Sequence, residues 1–424
     1  MAQLSDDCFA FGGELMPAAE ALARLGATIL PVAEPEECAL AQAHGRILAR
    51  DVLSEHDVPP HDNAAVDGWA VYFDDLNAGG DTVLPWRGRV PAGQPLGHAA
   101  PRGAAVRIFT GAPMPGGEDG APGPDTVLMQ EDCREAGGEV TIPPGIKRGA
   151  NRRHAGEDIE RGATILHAGR RLMPQDIGLA ASVGRTTLWV YRPLRVAVFS
   201  SGDEVFEPGE KLPPGGIYDA NRFMITALLE ALGCAVNDLG ILPDRYEAVL
   251  GALDKAAGTH DALITSGGVS TGDEDHIKAA VEALGHLHFW RLAIRPGRPI
   301  ALGQIGRVPF VGLPGNPVAV MVTFLRFARP MLLRLSGAAE VEPRYYRVTA
   351  DFEYKKKKGR REWLRARTRT LDDGSVAAEK YSRDGAGILS SAVFADGLIE
   401  LAEDVTRVAP GMIVDFLPFN ELMR

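Results

Sequence analysis

Between Arg195 and Leu284, strand-like and helix-like runs alternate with a regularity that leaves few folds open to the chain. Arg195 to Ser200, Ala235 to Leu242 and Asp261 to Thr265 are short and largely apolar, which predicts strands. Asn221 to Leu232, Asp244 to Ala257 and Asp275 to Leu284 space their apolar residues by three and four, which predicts helices. Strand, helix and strand in succession close most readily as a largely parallel sheet with helices on its faces. In such sheets ligands gather outside the carboxyl ends of the strands. Three of those ends read Ser200-Ser-Gly-Asp-Glu204, Pro243-Asp244 and Ser266-Gly-Gly with Asp273, Glu274 and Asp275 a few residues on. Small turn residues and carboxylates are therefore expected together on one edge.

The last of these ends sets two chemistries side by side. Bare N–H groups at Gly267 and Gly268, just before a helix start, make a seat for a phosphate or another oxyanion. Asp273, Glu274 and Asp275 repel that anion unless a cation lies between, and a hard divalent ion such as Mg²⁺ takes carboxylate and phosphate oxygens together. The plainer alternative is a tight strand-to-helix turn whose acids favour a helix N-terminus. Arg291-Leu-Ala-Ile-Arg-Pro-Gly-Arg298 places three guanidinium groups beside a stiff turn, suited either to a tetrahedral oxyanion or to surface salt bridges. Val311-Gly-Leu-Pro-Gly-Asn-Pro317 is a second strand ending in a Gly/Pro loop before a helix. Its amides at Gly315 and Asn316 can face an anion, or the loop is a simple connection.

A chain of 424 residues exceeds what one core usually organises, so two to four domains are expected. Its 49 Gly and 30 Pro make up roughly 19% of the residues, against about 12% on average, and imply many tight turns. A net charge of −11 disfavours nucleic-acid and membrane partners, so any anionic ligand must be held by local groups. Cys8, Cys38, Cys133 and Cys234 form no C-x-x-C pair, and a reducing cytoplasm is the expected compartment. No leader-like start and no apolar run of membrane-spanning length is visible.

Leu22, Leu25 and later Leu40, Ala43 and Ile47 predict two helices around an extended segment near Thr28 to Val32. From Asp62 to Arg148, short β-like runs (Gly68 to Phe73, Ala104 to Thr110, Thr126 to Glu131) separated by Gly and Pro predict a small β-rich domain with an exposed loop from Gly111 to Pro124. Val318, Met321, Leu325, Ala328, Leu332 and Leu335 fall on one helical stripe, read as facing a core. After Ser336-Gly337 the texture is β again. Lys355 to Lys358 is either a solvated hairpin tip or an anion-attracting rim.

Taken in order, Asp62-Asn-Ala-Ala-Val-Asp-Gly-Trp-Ala70, Arg107-Ile-Phe-Thr-Gly-Ala-Pro113, Arg153-His-Ala-Gly-Glu-Asp158, Ser201-Gly-Asp-Glu204, Tyr218-Asp-Ala-Asn221, Ser266-Gly-Gly-Val-Ser270 and Leu313-Pro-Gly-Asn-Pro317 resemble the molybdopterin molybdenumtransferases, the MoeA family, to which the E domain of gephyrin is also similar. The resemblance runs from about residue 14 to Pro418-Phe-Asn420. It implies a multidomain α/β plus β fold: an elongated N-terminal domain over 1–61 and 149–192, an inserted small β-rich domain over 62–148, a three-layer α/β molybdopterin-binding domain over 193–337 and a C-terminal β-barrel-like domain over 338–424. It also implies insertion of molybdate into adenylylated molybdopterin with Mg²⁺-dependent release of AMP, in a homodimer whose cleft joins the α/β domain of one subunit to the small β domain of the other. Asp67, Thr110, Glu204, Asp244 and Asp275 match the family's catalytic positions, and Glu204, Asp244 and Asp275 would hold the metal. Ser266, Gly267, Gly268, Ser270, Asp273, Pro314, Gly315, Asn316 and Pro317 would bind the pterin substrate, and Arg291, Arg295, Arg298, Arg365 and Ser390 the molybdate. The enzyme that adenylylates molybdopterin and the recipient molybdoenzymes are the implied partners.

Two departures stand out. Members of the family commonly carry lysines where this chain has Arg291, Arg295 and Arg298, replacing a point donor by a planar fork. The serine expected after Asp384-Gly385 is Ala386, for which Ser390 or Ser391 would substitute. Three other readings are weighed against insertion of molybdate: adenylylation of molybdopterin on the same α/β fold, a non-catalytic carrier or scaffold, and tungstate as the oxyanion, which is close to molybdate in size and charge.

Overall fold

The computed structural model describes residues 15–267, 276–297 and 299–423. Its centre is a six-stranded sheet in the order Ala235–Leu242, Arg195–Ser201, Ala262–Ser266, Val308–Leu313, Pro299–Ile305, Gly285–Arg291. The first four strands are parallel. The last two run antiparallel, an arrangement the strand–helix alternation does not announce, because Gly306-Arg307 joins Pro299–Ile305 directly to its neighbour as a hairpin. Side chains alternate across the sheet as the pleat requires. Val196, Val198, Ala262 and Ile264 pack with the helix Ala220–Ala231, while Ala197, Phe199 and Leu263 pack with the helices Tyr246–Ala257 and His276–Leu284. A three-layer α/β unit results.

The segment after Leu313 is helical from Pro317–Thr323 through a single π turn, Phe324–Ala328, to Arg329–Leu335. Its burial differs from the expected stripe: it is enclosed almost all round, including Arg326 (3% exposed) and Arg329 (7%). The reason is a second packing partner. Trp363, Leu398 and Leu417 of the C-terminal unit belong to the same core cluster, and Phe327 meets Trp363 edge-on at 6.2 Å. That C-terminal unit is a closed barrel of Tyr346–Ala350, Arg361–Thr370, Val376–Lys380, Gly397–Leu401 and Ile413–Pro418, sealed by pairing of Arg361–Thr370 with Gly397–Leu401. Ile294–Arg295, from the α/β unit, adds alongside Arg361 and Glu362.

At the other end, Ala18–Thr28 is a helix, but the second predicted helix is absent. Pro35–Ala39 instead pairs as a strand with Thr187–Tyr191, only one turn forms at Leu40–Gln42, and Ile47 and Leu48 bridge to Arg171 and Val190. A partner some 150 positions away overrides a weak local period. Two thin pairings, Val52–Leu53 with Thr164–Leu166 and Asn63–Ala64 with Arg152–Arg153, then carry the chain out and back. They lead to a six-stranded sheet ordered Thr126–Met129, Gly68–Val71, Ala105–Ile108, Thr82–Val90, Glu139–Ile142, Arg134–Ala136. Among the described residues no helix is long and apolar enough to cross a membrane.

Asp261 fixes the amino end of the central sheet. Its carboxylate accepts from Arg192 at 2.6 and 2.9 Å, and from the Arg195 backbone N–H at 2.8 Å and guanidinium at 3.0 Å. Burial pushes this carboxyl up, but the bonds from Arg192 and Arg195 outweigh it and hold it well below the ordinary carboxylate range. A group depressed in the folded state stabilises above its unfolded value and loses that contribution as pH falls. Asp261→Asn is expected to cost roughly 2 kcal/mol at neutral pH in urea unfolding, because the amide gives up the charge-assisted bonds that the buried carboxylate accepts from Arg192 and Arg195. The difference from the wild type should shrink below about pH 4, as the wild-type carboxylate loses its advantage.

Candidate active site

Register brings the strand ends level. Ser201 pairs with Leu242, Ser200 with Ser266, and Ser266 with Leu313. Glu204 leaves this edge through a turn in which Val205 N–H meets the Gly202 carbonyl at 3.0 Å. Gly202 has φ +128°, and a Cβ there would lie 2.6 Å from the Glu204 carboxylate, so a glycine is needed beside the acid. Asp244 follows the neighbouring strand by two residues, and both carboxylates are exposed. The loop bearing Glu204 is pinned by Arg222, which is 3% exposed. Its guanidinium donates to Glu207 at 2.5 and 2.6 Å, to Asp219 at 2.9 Å, and to Asp238. Asp219 in turn caps the helix Ala220–Ala231 by accepting from the Arg222 N–H.

The phosphate-seat loops also converge. Ser266 is buried and Gly267 takes φ +77°, but the Gly267 N–H expected to be bare for an anion donates instead to the Leu313 carbonyl at 3.1 Å, closing the sheet edge; a Cβ on Gly315 would stand 4.0 Å from the Cα of Gly267. Asn221 Nδ2 donates to the Gly315 carbonyl at 2.7 Å, tying the helix Ala220–Ala231 to this second loop. Pro314 is buried, while Gly315 and Asn316 are exposed. Pro317 opens the helix, where its missing N–H costs nothing. Gly268, Ser270, Asp273, Glu274, Asp275 and Arg298 lie outside the described residues.

Asp67 and Thr110 meet in the small β unit. Thr110 donates twice to Oδ1 of Asp67, from its N–H at 2.8 Å and its hydroxyl at 2.7 Å. These bonds, with Arg107 nearby, hold the Asp67 carboxyl below its ordinary value, so it is an anion at neutral pH. Gly68 must remain glycine, since a Cβ would fall 1.6 Å from the Leu128 carbonyl oxygen across the sheet. The hydrogen bonds of Asp67, Thr110 and Arg107 all stay inside this unit.

Of the arginines, Arg295 and Arg365 share a cavity of about 130 Å³, walled also by Tyr354, Glu362 and Asp384 to Ala386. Arg365 is 7% exposed; its Nε donates to Ser391 Oγ at 3.0 Å and its Nη2 to the Gly385 carbonyl at 3.3 Å. Ser391, wholly buried, therefore seats this arginine, whereas Ser390 is exposed and bonds Tyr381. Arg295 donates to the Tyr354 hydroxyl at 3.0 Å and lies 3.9 Å from Asp384. Arg291 ends its strand exposed and is not among the residues walling this cavity. The loop containing Ala386 acts through its main chain: the Ala386 carbonyl accepts the Val318 N–H at 2.9 Å, at the start of the buried helix. In the basic run, Lys355, Lys357 and Lys358 are exposed, but Lys356 turns inward and donates to the Val405 carbonyl at 2.8 Å.

Tyr354, Glu362 and Arg222 are site residues that the sequence reading misses. Arg222 had a signal, since it stands three residues after a capping aspartate. The other two had none, being eight positions apart and far from Arg295.

A parallel sheet with acids on its carboxyl edge, flanked by a β unit with an anchored aspartate and by a barrel presenting arginine, defines a multidomain α/β enzyme. The chain belongs to the molybdopterin molybdenumtransferase family. Residues 16–184 match the MoeA N-terminal region (domain I and II), 197–334 the "Probable molybdopterin binding domain", and 347–419 the MoeA C-terminal region (domain IV). It is 37% identical over 385 residues to the molybdopterin molybdenumtransferase of Haemophilus influenzae, covering 91% of this chain and 94% of that one. Against the enzyme of the same name from a Nostoc species it is 37% identical over 319 residues, covering 73% and 72%. The molybdopterin biosynthesis moeA protein of Pyrococcus horikoshii OT3 superposes with a TM-score of 0.82 at 26% identity, over 96% of this chain and all of that one.

Thr110→Val removes one of the two bonds that hold the Asp67 carboxylate. In carbon-13 NMR of the labelled protein, Asp67 should titrate at a higher pH than in the wild type, with the thermal unfolding transition unchanged.

Proposed function

We propose that this chain inserts molybdate into adenylylated molybdopterin, releasing AMP. The observation that carries the reading is the continuity between the phosphate edge and the arginine cavity. Ile294–Arg295 belongs to the α/β unit yet pairs with the barrel strand that bears Arg365, and the loop walling the cavity accepts the Val318 N–H just beyond Gly315. A phosphate at the exposed Gly315 loop and a tetrahedral oxyanion between Arg295 and Arg365 thus belong to one connected edge.

Glu204 and Asp244 offer hard oxygen ligands on neighbouring strand ends. Among the described residues no set of three ligating side chains gathers. Mg²⁺ is commonly held by one or two carboxylates together with substrate phosphates and water, and Glu204 and Asp244 would supply the carboxylates. When bound, the ion supplies neutralisation of the phosphate charge. The chain's own residues do the positioning. Arg295 and Arg365 hold molybdate, the Gly267 and Gly315 loops orient the adenylate, and Asp67 faces the reaction as an anion. As the dithiolene sulfurs take the metal, an oxygen from molybdate passes to phosphorus, the P–O–P link breaks, and AMP leaves.

The confinement of the Asp67–Thr110 bonds to their own unit supports a homodimer in which a partner subunit brings this corner to the acids. The free thiols Cys38, Cys133 and Cys234 suit a reducing cytoplasm. The chemistry calls for an adenylylating enzyme upstream and molybdoenzymes as recipients.

Glu204→Ala, Asp244→Ala and Asp275→Ala should each reduce AMP release at least about 100-fold; unchanged release in all three removes the metal assignment. Mixing refolded Asp67→Ala and Glu204→Ala subunits should restore about a quarter of wild-type activity, because each mixed dimer then keeps one intact cleft. No restoration would place both residues in a cleft of one subunit.

A further inference from the structure

We propose that Tyr354, backed by Glu362, is a positioning residue that sets oxyanion selectivity by fixing the Arg295 fork; the inference rests on reading the arginine cavity as the molybdate site. The Tyr354 hydroxyl donates to Glu362 Oε2 at 2.7 Å, and its oxygen accepts from Arg295 at 3.0 Å. A three-member chain therefore runs from a buried carboxylate to a guanidinium that also faces the same Glu362 oxygen directly at 3.7 Å and whose side chain is 44% exposed.

Glu362 is an unusual residue to find there. It is wholly buried, it lines the cavity, and among the described residues its second oxygen, Oε1, has no hydrogen-bond partner, although Arg360 Nε lies 3.4 Å away. Burying a carboxylate with an unsatisfied oxygen is costly and calls for a reason beyond packing. By strand alternation it shares a face with Leu364 and Ala366 of the barrel core, while Arg365 leaves the opposite face. Glu362 thus anchors Tyr354 from inside the barrel. Burial and this same hydrogen bond push the phenol up from its ordinary value, so it stays protonated as donor to Glu362 and acceptor for Arg295.

The other arginine is fixed independently by Ser391 and the Gly385 carbonyl. With both forks held, the gap between them is preset and not adjustable. A preset gap favours one size of tetrahedral oxyanion, and molybdate, with its longer metal–oxygen bonds, is distinguishable from sulfate.

The test is Tyr354→Phe, read by molybdate half-saturation of AMP release and by sulfate competition. Molybdate half-saturation should rise about tenfold, as for loss of one hydrogen bond to a charged group. The preference for molybdate over sulfate should fall with it, while the half-saturation for the adenylylated pterin stays unchanged, a pattern that general destabilisation would not give. Arg295→Gln and the Arg295→Gln, Tyr354→Phe double variant should behave alike, because Tyr354 acts through Arg295. If Tyr354→Phe does not fold, Glu362→Gln keeps the volume, loosens the same chain and carries the same expectation. Unchanged selectivity in these variants, with molybdate binding still weakened in Arg295→Gln and Arg365→Gln, overturns the role of Tyr354 alone. Molybdate binding unaffected in both arginine variants overturns the cavity assignment and this inference together.

Discussion

Parallel pairing in register is the constraint on which the site depends. Ser201 with Leu242, Ser200 with Ser266, and Ser266 with Leu313 bring to one level four strands spread over more than a hundred positions. A slip of one residue would exchange Val196 and Val198 with Ala197 and Phe199 between the two core layers, and their unequal volumes oppose it by mispacking both. The acids at 204 and 244 and the glycines at 267 and 315 are neighbours because hydrocarbon packing fixes the sheet beneath them. Their polar surroundings refine that placement: Arg222 holds one loop, Asn221 another.

The flanking units contribute by opposite means. The barrel is welded to the α/β unit by a shared core, by the short pairing of Ile294–Arg295 with Arg361–Glu362, and by a set of buried polar contacts. In these, Glu400 receives Tyr345 at 3.0 Å, Trp363 Nε1 at 2.8 Å and Arg361 at 2.9 Å, with Arg326 3.6 Å away. The small β unit, by contrast, is reached through two thin strand pairs, with Asp62 accepting from Arg152 at 2.9 Å and from the Ala155 N–H at 2.8 Å where the chain returns. On the proposed reading, the half joined by a shared core would hold the oxyanion and the small β unit would present its aspartate to complete the cleft.

How much of this was legible depends on how local each signal is. The parallel strands and their helices were readable from Arg195 to Leu284 because each carries its own period, and the strand-end acids followed from topology. The antiparallel strands Gly285–Arg291 and Pro299–Ile305 were not, since a hairpin beside a parallel sheet leaves no mark on the strand–helix rhythm. The supposed helix near Leu40 failed because pairing with Thr187–Tyr191 is decided at long range. In the candidate site, Arg295 and Arg365 were marked by motif, but Glu362 becomes a neighbour of Arg295 only through the long-range pairing of Ile294–Arg295 with Arg361–Glu362, and Tyr354 through its bond to Glu362. Ser391, not Ser390, seats Arg365 because the chain rises into a short helix there and turns only one of two adjacent hydroxyls inward.

The helix running from Pro317 to Leu335 is enclosed on every side, one flank by the central sheet and the other by the barrel. An element with no solvent face of its own cannot serve as a boundary between modules. The α/β unit and the barrel, rather more than half of this chain, accordingly share one core. Lifting the barrel away would expose the flank of this largely apolar helix that Trp363, Leu398 and Leu417 cover. The terminal domain is thus not an interchangeable cassette, however separate its sequence texture looks.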